Sequence, residues 1–248
     1  MVETLISDKN PLLKEVRRLA AGGVPGDDRL VLAEGPRLLE EALRSRIEIH
    51  AVILAESASE MPVGNARVVR VLDALFHKLA STESPQGVLA LVRLPVWSAE
   101  DLMRSTPLIV VLDGVQDPGN AGAILRTGEA FGATGAVFLK GTVSPWNPKC
   151  LRASAGSAFR LPIVTEVPEG VTLYAADPKA AMPASQANLG IPCGIVIGSE
   201  GHGVRPELAA RATGLKIPTV AVESLNAAVA AGILLYEARR QRGEKSRA

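Results

Sequence analysis

Residues 214–242 have the sequence GLKIPTVAVESLNAAVAAGILLYEARRQR, and this stretch decides the fold. It predicts a short buried strand over residues 215–218, a polar loop, and then a long helix. From residue 227 to residue 235 the helix is apolar or small on every face, and such a helix is buried on all sides or shared with a second subunit. Ser224 and Asn226 precede it and are good capping residues, because the first N–H groups of a helix have no partner within it. The start of this helix can therefore hold a ligand.

Two loops further upstream have the same character, a polar or glycine-rich stretch directly after a buried strand. LIVVLDG at residues 108–114 is a continuous apolar run, as expected of a strand covered on both faces, and VQDPGN follows it. GIVIG at residues 194–198 is a second such strand, and SEGHGV follows it. Further strands are predicted at AVFLK, IVTEV, VTLYAAD and LKIP. The pattern indicates a parallel α/β sheet, with ligands expected at the carboxyl ends of its strands.

A few side chains in these loops are candidates for chemistry. Asn120 is placed where the N-cap of the helix AGAILRTGEAF belongs. Arg126 lies on the side of that helix away from its apolar residues, so we expect it to point away from the core. Glu200 can accept a hydrogen bond from a hydroxyl or an amine. His202 is interpreted as an incidental surface residue.

Residues 1–95 predict a separate, smaller α/β unit. NPLLKEVRRLAAGG, GPRLLEEALRSR and LDALFHKLAS have helical spacing of apolar residues, and RLVLAEG, EIHAVILAES, ARVVRV and QGVLALVRL are predicted strands. Pro95 ends this pattern. Residues 96–106 are interpreted as a linker with one short helix, in which Ser98 and Asp101 have the spacing of a capping box. Residues 107–248 are then the second domain.

Composition argues against several classes of protein. The chain has 248 residues, of which 47% are hydrophobic, and a net charge of +1. We expect a cytoplasmic protein, because no segment has the pattern of a membrane span or a signal peptide, and Cys150 and Cys193 give no disulfide framework. The sequence contains no P-loop and no nucleophile elbow. No His, Cys or Asp residues have zinc-ligand spacing, so no metal site is predicted. A nucleotide-dependent oxidoreductase on a Rossmann-like sheet is an alternative, weakened because G-x-G-x-x-G is absent after the strand at residues 108–114.

Three of the segments resemble, in order, the motifs of the SpoU (TrmH-like) branch of the SPOUT superfamily, the RNA ribose 2′-O-methyltransferases. They are DGVQDPGNAGAILRTGEAFGATG, IVIGSEGHGV and IPTVAVESLNAAVAAGILLYEARRQR. NPKCLRASAGSAFRLPI, between them, resembles the family's helix after the first motif. NPLLKEVRRL, LAEGPRLLEEAL and SPQGVLALV resemble an RNA-binding extension similar to ribosomal protein L30e. The resemblance implies an α/β fold with a small L30e-like domain followed by a SPOUT-type parallel sheet. It also implies a deep trefoil knot at about residues 190–235, an exception to the rule that chains do not thread through loops.

The resemblance also implies the cofactor, S-adenosylmethionine. Methyl transfer requires a ribose 2′-hydroxyl to be held in line with the methyl group and to lose its proton. The catalytic residues that the resemblance implies are Asn120, Arg126, Glu200, Ser224 and Asn226. The cofactor-binding residues that it implies are Ala175, Ile197, Gly198, Glu200, Gly201, Ile217, Pro218, Ser224, Leu225 and Asn226. Because an arginine is normally always protonated, we favour Arg126 as a binder of the adjacent phosphate that orients the hydroxyl.

The implied partners are RNA and a second copy of the chain. The N-terminal extension favours large-subunit, 23S-type ribosomal RNA as the substrate. The final helix and the first motif are expected at the interface of a homodimer. The candidates for contacts with RNA are Lys14, Arg17, Arg18, Arg37, Arg126, Lys149 and Arg152. Two alternatives stay open, a tRNA 2′-O-methyltransferase and a non-catalytic RNA-binding protein with a retired methyltransferase domain.

Overall fold

The structure is a computed structural model that describes residues 2–5 and 9–245. The chain forms two compact units. The first comprises residues up to Val96 together with Trp146–Arg160, and the second comprises Trp97–Pro145 and the chain from Leu161 onward. The chain first passes between units inside the predicted linker, at residues 96–97. Two later passages, at residues 145–146 and 160–161, were not predicted, because the sequence assigned residues 107–248 to one domain.

The first unit is built on a five-stranded mixed sheet. Its N-terminal elements are β1 (Val2–Leu5), α1 (Pro11–Ala20), β2 (Leu30–Glu34), α2 (Pro36–Arg44), β3 (Glu48–Ala55), β4 (Arg67–Val71), α3 (Asp73–Leu79) and β5 (Val88–Arg93). The strand order is β1-β4-β3-β5-β2, with β5 antiparallel to both of its neighbours and the other pairs parallel. Leu13, Val16 and Leu19 of α1, spaced three residues apart, are buried in the core below this sheet. The helices and strands predicted for this unit are confirmed.

The second unit contains a seven-stranded parallel sheet, which confirms the predicted fold class. The elements from Trp97 onward are α4 (Ala99–Leu102), β6 (Leu108–Asp113), α5 (Pro118–Ala130), β7 (Gly135–Phe138), α6 (Pro148–Ser154), α7 (Ser157–Arg160), β8 (Ile163–Val164), β9 (Thr172–Ala176), β10 (Met182–Pro183), β11 (Cys193–Gly198), α8 (Pro206–Ala209), β12 (Ala212–Lys216) and α9 (Ala227–Lys245). Of these, α6 and α7 belong to the first unit. The strand order is β10-β12-β9-β11-β6-β7-β8. The two central strands β6 and β11 are buried almost throughout, which explains their continuous apolar sequences.

Three elements differ from the sequence prediction. The strand predicted over residues 215–218 is β12, which ends before Pro218, a residue without the N–H that a ladder needs. The single helix predicted from WNPKCLRASAGSAF is divided into α6 and α7, because Ala155 and Gly156 have positive φ angles of 48° and 87°. The strand predicted at residues 163–167 is the two-residue β8. The short edge strands β1 and β10 were not predicted.

Glu34, at the end of β2, is a buried carboxylate, and it joins α6 to the first unit. Ser81 and Thr82 each donate their backbone N–H and their hydroxyl to it. Arg152 of α6 donates from Nη1 to Glu34 Oε2 at 3.0 Å. A buried charge is tolerated where it is paired and hydrogen-bonded, and these donors meet both conditions. The bond also accounts for the position of α6 in the first unit.

The long helix α9 packs on α5 and β11, and its 19 residues extend over about 28 Å. Its fully buried residues are Ala231, Leu234, Leu235 and Ala238. Its exposed apolar residues are Val229, Ile233 and Tyr236. The helix predicted to be apolar all round therefore has a buried side and an exposed apolar side within one copy of the chain. Among the described residues, no helix combines the length and the apolar character needed to cross a bilayer.

Arg242, near the end of α9, joins this helix to the start of two strands. Its guanidinium donates to the carbonyl oxygens of Thr106 at 2.6 Å and Pro107 at 2.9 Å, just before β6. It also donates to the carbonyl oxygens of Leu189 at 3.0 Å and Ile191 at 2.7 Å, just before β11. The planar guanidinium has five N–H donors and thus bonds four backbone carbonyl oxygens on two chain segments.

Both cysteines are buried in the interior and form no disulfide. Burial raises the pKa of the Cys193 thiol, and the nearby Arg242 guanidinium acts in the opposite direction. Within the described part of the chain, no group of three or more His, Cys, Asp or Glu side chains could hold a metal ion.

We expect Arg242→Ala to lower the free energy of unfolding by about 2–4 kcal/mol, because several hydrogen bonds from a charged donor are lost and water replaces them in part. Denaturant unfolding followed by circular dichroism measures the change. Arg239→Ala is the matched control on the same helix, since Arg239 is exposed and its side chain makes no hydrogen bond to the residues that the structure describes. The control should change stability by less than about 0.5 kcal/mol. Equal losses in the two variants would contradict the role of Arg242.

Candidate active site

A cavity of about 1110 Å³ opens at the carboxyl ends of β9, β11 and β12. Parallel strands bring the loops that follow them to the same edge of a sheet, which is where such folds bind ligands. The cavity is lined by the loops after these three strands and by the first turn of α9. Two of the three loops that the sequence analysis singled out therefore line one cavity, and the third reaches it through Asn120.

A chain of side-chain hydrogen bonds joins all three loops. Asn226 donates from Nδ2 to Asn120 Oδ1 at 3.0 Å. Asn120 in turn donates from Nδ2 to Glu200 Oε1 at 2.7 Å. The three residues are far apart in sequence, and the structure brings them together as predicted. The second carboxylate oxygen of Glu200 can still accept a hydrogen bond from a ligand.

The start of α5 explains why the Asn120 amide is available for this chain. Asp117 is the N-cap residue, and its side chain accepts from the backbone N–H of Asn120 at 2.7 Å. Pro118 occupies the first helical position, where its missing N–H costs nothing. The expectation that Asn120 is the N-cap is therefore wrong. It lies in the first turn of the helix, where its own side chain is free to reach Glu200.

Asn226 is the cap of α9, as expected. Its Oδ1 accepts from the backbone N–H groups of Ala228 at 2.9 Å and Val229 at 3.2 Å. The amide therefore uses its oxygen for the helix and its nitrogen for Asn120. Ser224 lines the cavity two residues earlier.

Glu200 lies on a tight turn that follows β11. Ser199 and Gly203 close the turn with two mutual backbone hydrogen bonds, of 3.0 Å and 2.9 Å. The φ angle of Gly203 is +69°, a value that favours glycine. A Cβ atom at Gly198 would overlap the backbone of Gly203, so the turn packs directly over this glycine. His202, interpreted from the sequence as a surface residue, is exposed but also lines the cavity.

Most of the residues predicted to bind the cofactor line the cavity. These are Ile197, Gly198, Glu200, Gly201, Ile217, Ser224, Leu225 and Asn226. Ala175 and Pro218 are not among the lining residues, although their neighbours Ala176 and Thr219 are. Sequence reasoning missed the loop after β9, which contributes Asp177 and Lys179. The signal was present, because VTLYAAD was recognised as a strand of the same parallel sheet and its following loop had to end at the same edge.

Arg126 is exposed on α5, as predicted, but it does not line the cavity of its own chain. Its side chain makes no hydrogen bond or ion pair with the residues that the structure describes. Ala123 and Ala130 share its face of the helix, at positions three before and four after it. A single copy of the chain therefore brings Asn120, Glu200, Ser224 and Asn226 to the cavity and leaves Arg126 outside it.

The remaining basic candidates differ in how their charge is used. Lys14, Arg17 and Arg37 are exposed on α1 and α2 of the first unit. Arg18 is paired with Glu15, whose pKa it lowers by hydrogen bonding. Lys149 is exposed on α6, and Arg152 bonds Glu34 and Ser81. Contacts of these residues with phosphate stay a prediction.

Family models match both parts of the chain. Residues 107–236 match the SpoU rRNA Methylase family, and residues 10–90 match the MRM3-like substrate binding domain. The first match contains every residue of the hydrogen-bonded chain from Asn226 to Glu200. The second lies within the first unit.

Similar proteins cover nearly the whole length of the chain. It is 34% identical to an uncharacterized tRNA/rRNA methyltransferase of Synechocystis, over 97% of this chain and 94% of the relative. It is 31% identical to the 23S rRNA (guanosine(2553)-2′-O)-methyltransferase RlmP of Bacillus subtilis, over 94% of this chain and 98% of the relative. Among solved structures, an AdoMet-bound rRNA methyltransferase from Sinorhizobium meliloti superimposes with a TM-score of 0.83 and 28% identity, over 96% and 98% of the two chains.

We expect Gly198→Ala to destabilise the protein by about 1–3 kcal/mol, because the added methyl group forces the turn away from β11. Thermal unfolding of the purified variant measures the loss. Gly201→Ala is the control, since a Cβ there would meet no atom within 4 Å. Its stability should stay within about 0.5 kcal/mol of the wild type. A Gly198→Ala protein as stable as the control would show that the turn does not depend on this close approach.

Proposed function

The chain belongs to the SpoU rRNA methylase family, and from this premise we propose that it transfers the methyl group of S-adenosylmethionine to a ribose 2′-hydroxyl of large-subunit ribosomal RNA. The observation that carries the proposal is the hydrogen-bonded chain of Asn226, Asn120 and Glu200 at the edge of the cavity. This chain of hydrogen bonds fixes the Glu200 carboxylate in the wall of the cavity, where we expect the ribose hydroxyl to meet the cofactor.

The cavity offers both apolar and charged groups to the cofactor. Its apolar lining includes Ile197, Leu215, Ile217 and Leu225. Its acidic lining comprises Asp177, Glu200 and Glu223, and its lysines are Lys179 and Lys216. Carboxylates are suitable neighbours for a sulfonium ion, and backbone groups of the turn after β11 can bond the polar parts of a nucleoside. When bound, S-adenosylmethionine supplies an already activated methyl group. The protein then has to orient the hydroxyl and assist the loss of its proton.

Glu200 is the group that we assign to the hydroxyl. Its Oε1 is held by Asn120, so its Oε2 points from a fixed position and can accept from the ribose. Asn226 holds Asn120 in turn and is itself fixed as the cap of α9. Each member of the chain thus limits the rotation of the next, which is how a site is organised before its substrate arrives.

We propose that the working enzyme is a homodimer, formed through the exposed side of α9 and the neighbouring face of α5. Val229, Ile233 and Tyr236 are 51%, 40% and 57% exposed on this side. Phe131 at the end of α5 packs edge-on against the Tyr236 ring, 5.7 Å between centroids, so the two helices form one continuous surface. An apolar surface of this kind is characteristic of an interface. A dimer through it also gives Arg126 a role, since α5 would present this arginine at the interface, where it can bind a phosphate of the RNA.

We assign RNA capture to the first unit. The match of residues 10–90 to a substrate-binding domain supports this, as do the exposed cations Lys14, Arg17 and Arg37. The trefoil knot at about residues 190–235 remains part of the proposal. It is supported by the path of the chain, which leaves the sheet at β12, two strands from β11, and returns as α9 to pack on β11 and α5. We expect the enzyme to act in the cytoplasm, the compartment that holds the ribosomal RNA of bacteria such as the source of its relative RlmP.

The test is transfer of a labelled methyl group from S-adenosylmethionine to total RNA from a strain that lacks the gene, followed by mapping of the modified nucleotide. We expect one 2′-O-methylated nucleotide in large-subunit ribosomal RNA. Label in tRNA would favour the tRNA enzyme, and RNA binding without any label would favour the non-catalytic protein. Arg126→Ala should lower the rate at least about 100-fold, because charge stabilisation near the reacting groups is lost. The cofactor Kd of this variant should change by less than about twofold, and an equal loss of both would assign Arg126 a structural role.

The dimer is tested separately. Ile233→Asp places a charge in the apolar surface, so we expect light scattering to show a monomer at a concentration where the wild type is a dimer. Val220→Asp is the matched control, because Val220 is fully exposed in the loop before α9 and lies outside this surface. It should remain dimeric. A wild-type protein that is monomeric at all concentrations would exclude the proposal.

A further inference from the structure

An ion pair between a buried aspartate and a partly exposed arginine joins two of the active-site segments. Asp113, the last residue of β6, has a side chain that is 2% exposed. It accepts from the backbone N–H of Arg205 at 2.8 Å and from Arg205 Nε at 2.5 Å, and Arg205 Nη2 forms an ion pair with the same carboxylate. Arg205 Nη2 also donates to the carbonyl oxygen of Lys140 at 2.7 Å, just after β7. One guanidinium therefore joins the carboxyl ends of two strands to the loop that follows a third.

The two partners lie on the segments that carry the active-site residues. Asp113 precedes the loop that leads into α5 and Asn120. Arg205 follows the turn over residues 199–203, which carries Glu200. The same two segments are thus joined twice, by the ion pair between Asp113 and Arg205 and by the 2.7 Å hydrogen bond between Asn120 and Glu200.

Both ends of the turn contact Asp113. The near end is fixed because Gly198 is the last residue of β11 and pairs with Asp113 across the sheet. The far end, at residue 204, lies outside the sheet, and the next residue, Arg205, bonds Asp113 through both its backbone and its side chain. Both ends of the turn are therefore held by Asp113 of β6.

The chemistry of the pair favours a role in geometry. An ion pair with one partly exposed partner is weak grounds for stability, because water screens the attraction between the two charges. Its contribution is directional, since a guanidinium and a carboxylate bond each other in a narrow range of orientations. The Asp113 carboxylate also raises the pKa of Arg205, so the guanidinium keeps its charge.

We propose that Asp113 and Arg205 are positioning residues, which hold the turn after β11 at the distance from α5 where Glu200 meets Asn120. The proposal rests on the role that we assign to Glu200 in methyl transfer. The pair does not contact the substrate. It acts through Glu200 and sets how well that carboxylate is placed for the hydroxyl.

Arg205→Lys tests the proposal, because lysine keeps the charge and loses the two-point bond. We expect kcat for methyl transfer to fall about tenfold or more, since small displacements at a reacting centre have effects of this size. The RNA concentration at half-maximal rate should change by less than about twofold, because RNA capture is assigned to the first unit. Arg211→Lys is the matched control; Arg211 is exposed six residues later, and its side chain makes no hydrogen bond within the described part of the chain. Its kcat should equal that of the wild type.

A double-mutant cycle with Glu200→Ala separates positioning from general destabilisation. If Arg205 acts through Glu200, then Arg205→Lys should lower the residual rate of Glu200→Ala by less than about twofold. A further tenfold loss in that background would overturn the proposal. Asp113→Asn, which keeps the size of the side chain, should give the same two results, and it serves in place of Arg205→Lys if that variant does not fold.

A crystal structure of Arg205→Lys gives a result that does not depend on activity. We expect the Asn120 Nδ2 to Glu200 Oε1 distance to exceed 3.5 Å, against 2.7 Å in the wild type. An unchanged distance would overturn the positioning role even if methyl transfer is confirmed. Conversely, a lengthened distance in a protein that transfers no methyl group would leave the positioning intact and remove the proposed function.

Discussion

The site depends on one asparagine amide that bonds in two directions. Asn120 receives a hydrogen bond from Asn226 and gives one to Glu200, so three loops that share no sequence neighbourhood meet at a single side chain. A parallel sheet makes the meeting possible, since it gathers the loops at the carboxyl ends of its strands. It does not set their separation to within a hydrogen bond. The two hydrogen bonds of Asn120 fix that separation, because the donor–acceptor distance of a hydrogen bond varies by only a few tenths of an ångström.

Asn120 can do this because other groups meet the needs of the backbone around it. Asp117 caps α5, which leaves the asparagine amide free. Asn226 caps α9 with its oxygen and reserves its nitrogen for Asn120. The turn that carries Glu200 closes on itself through Ser199 and Gly203, so its hydrogen bonds are also met locally. The polar side chains of the site can therefore bond one another, because the backbone groups around them already have partners.

The sequence was sufficient to predict the sheet, most helices and the convergence of Asn120, Glu200 and Asn226. Long apolar runs such as the one in β6 and regular turns carry enough local information for this. It was insufficient where two local signals competed. Both Asp117 and Asn120 are capping residues, and the identity of the cap depends on which of them finds a partner across the fold. Likewise, nothing local indicates that Arg152 bonds Glu34, more than a hundred residues earlier, because ion pairs of this kind follow from tertiary packing.

The segment Trp146–Arg160 has a consequence for how freely the two halves of this chain could be exchanged with those of other proteins. It is inserted in the sequence of the second unit, but it contributes Arg152 and Arg160 to carboxylates of the first, Glu34 and Glu41. A chimera joined at the linker near residue 97 would remove the carboxylates that Arg152 and Arg160 contact, unless the new N-terminal half supplied equivalent acidic residues. Recombination at the linker therefore favours N-terminal halves with an acidic residue at the end of the strand equivalent to β2. We expect the two halves to change together in evolution for this reason.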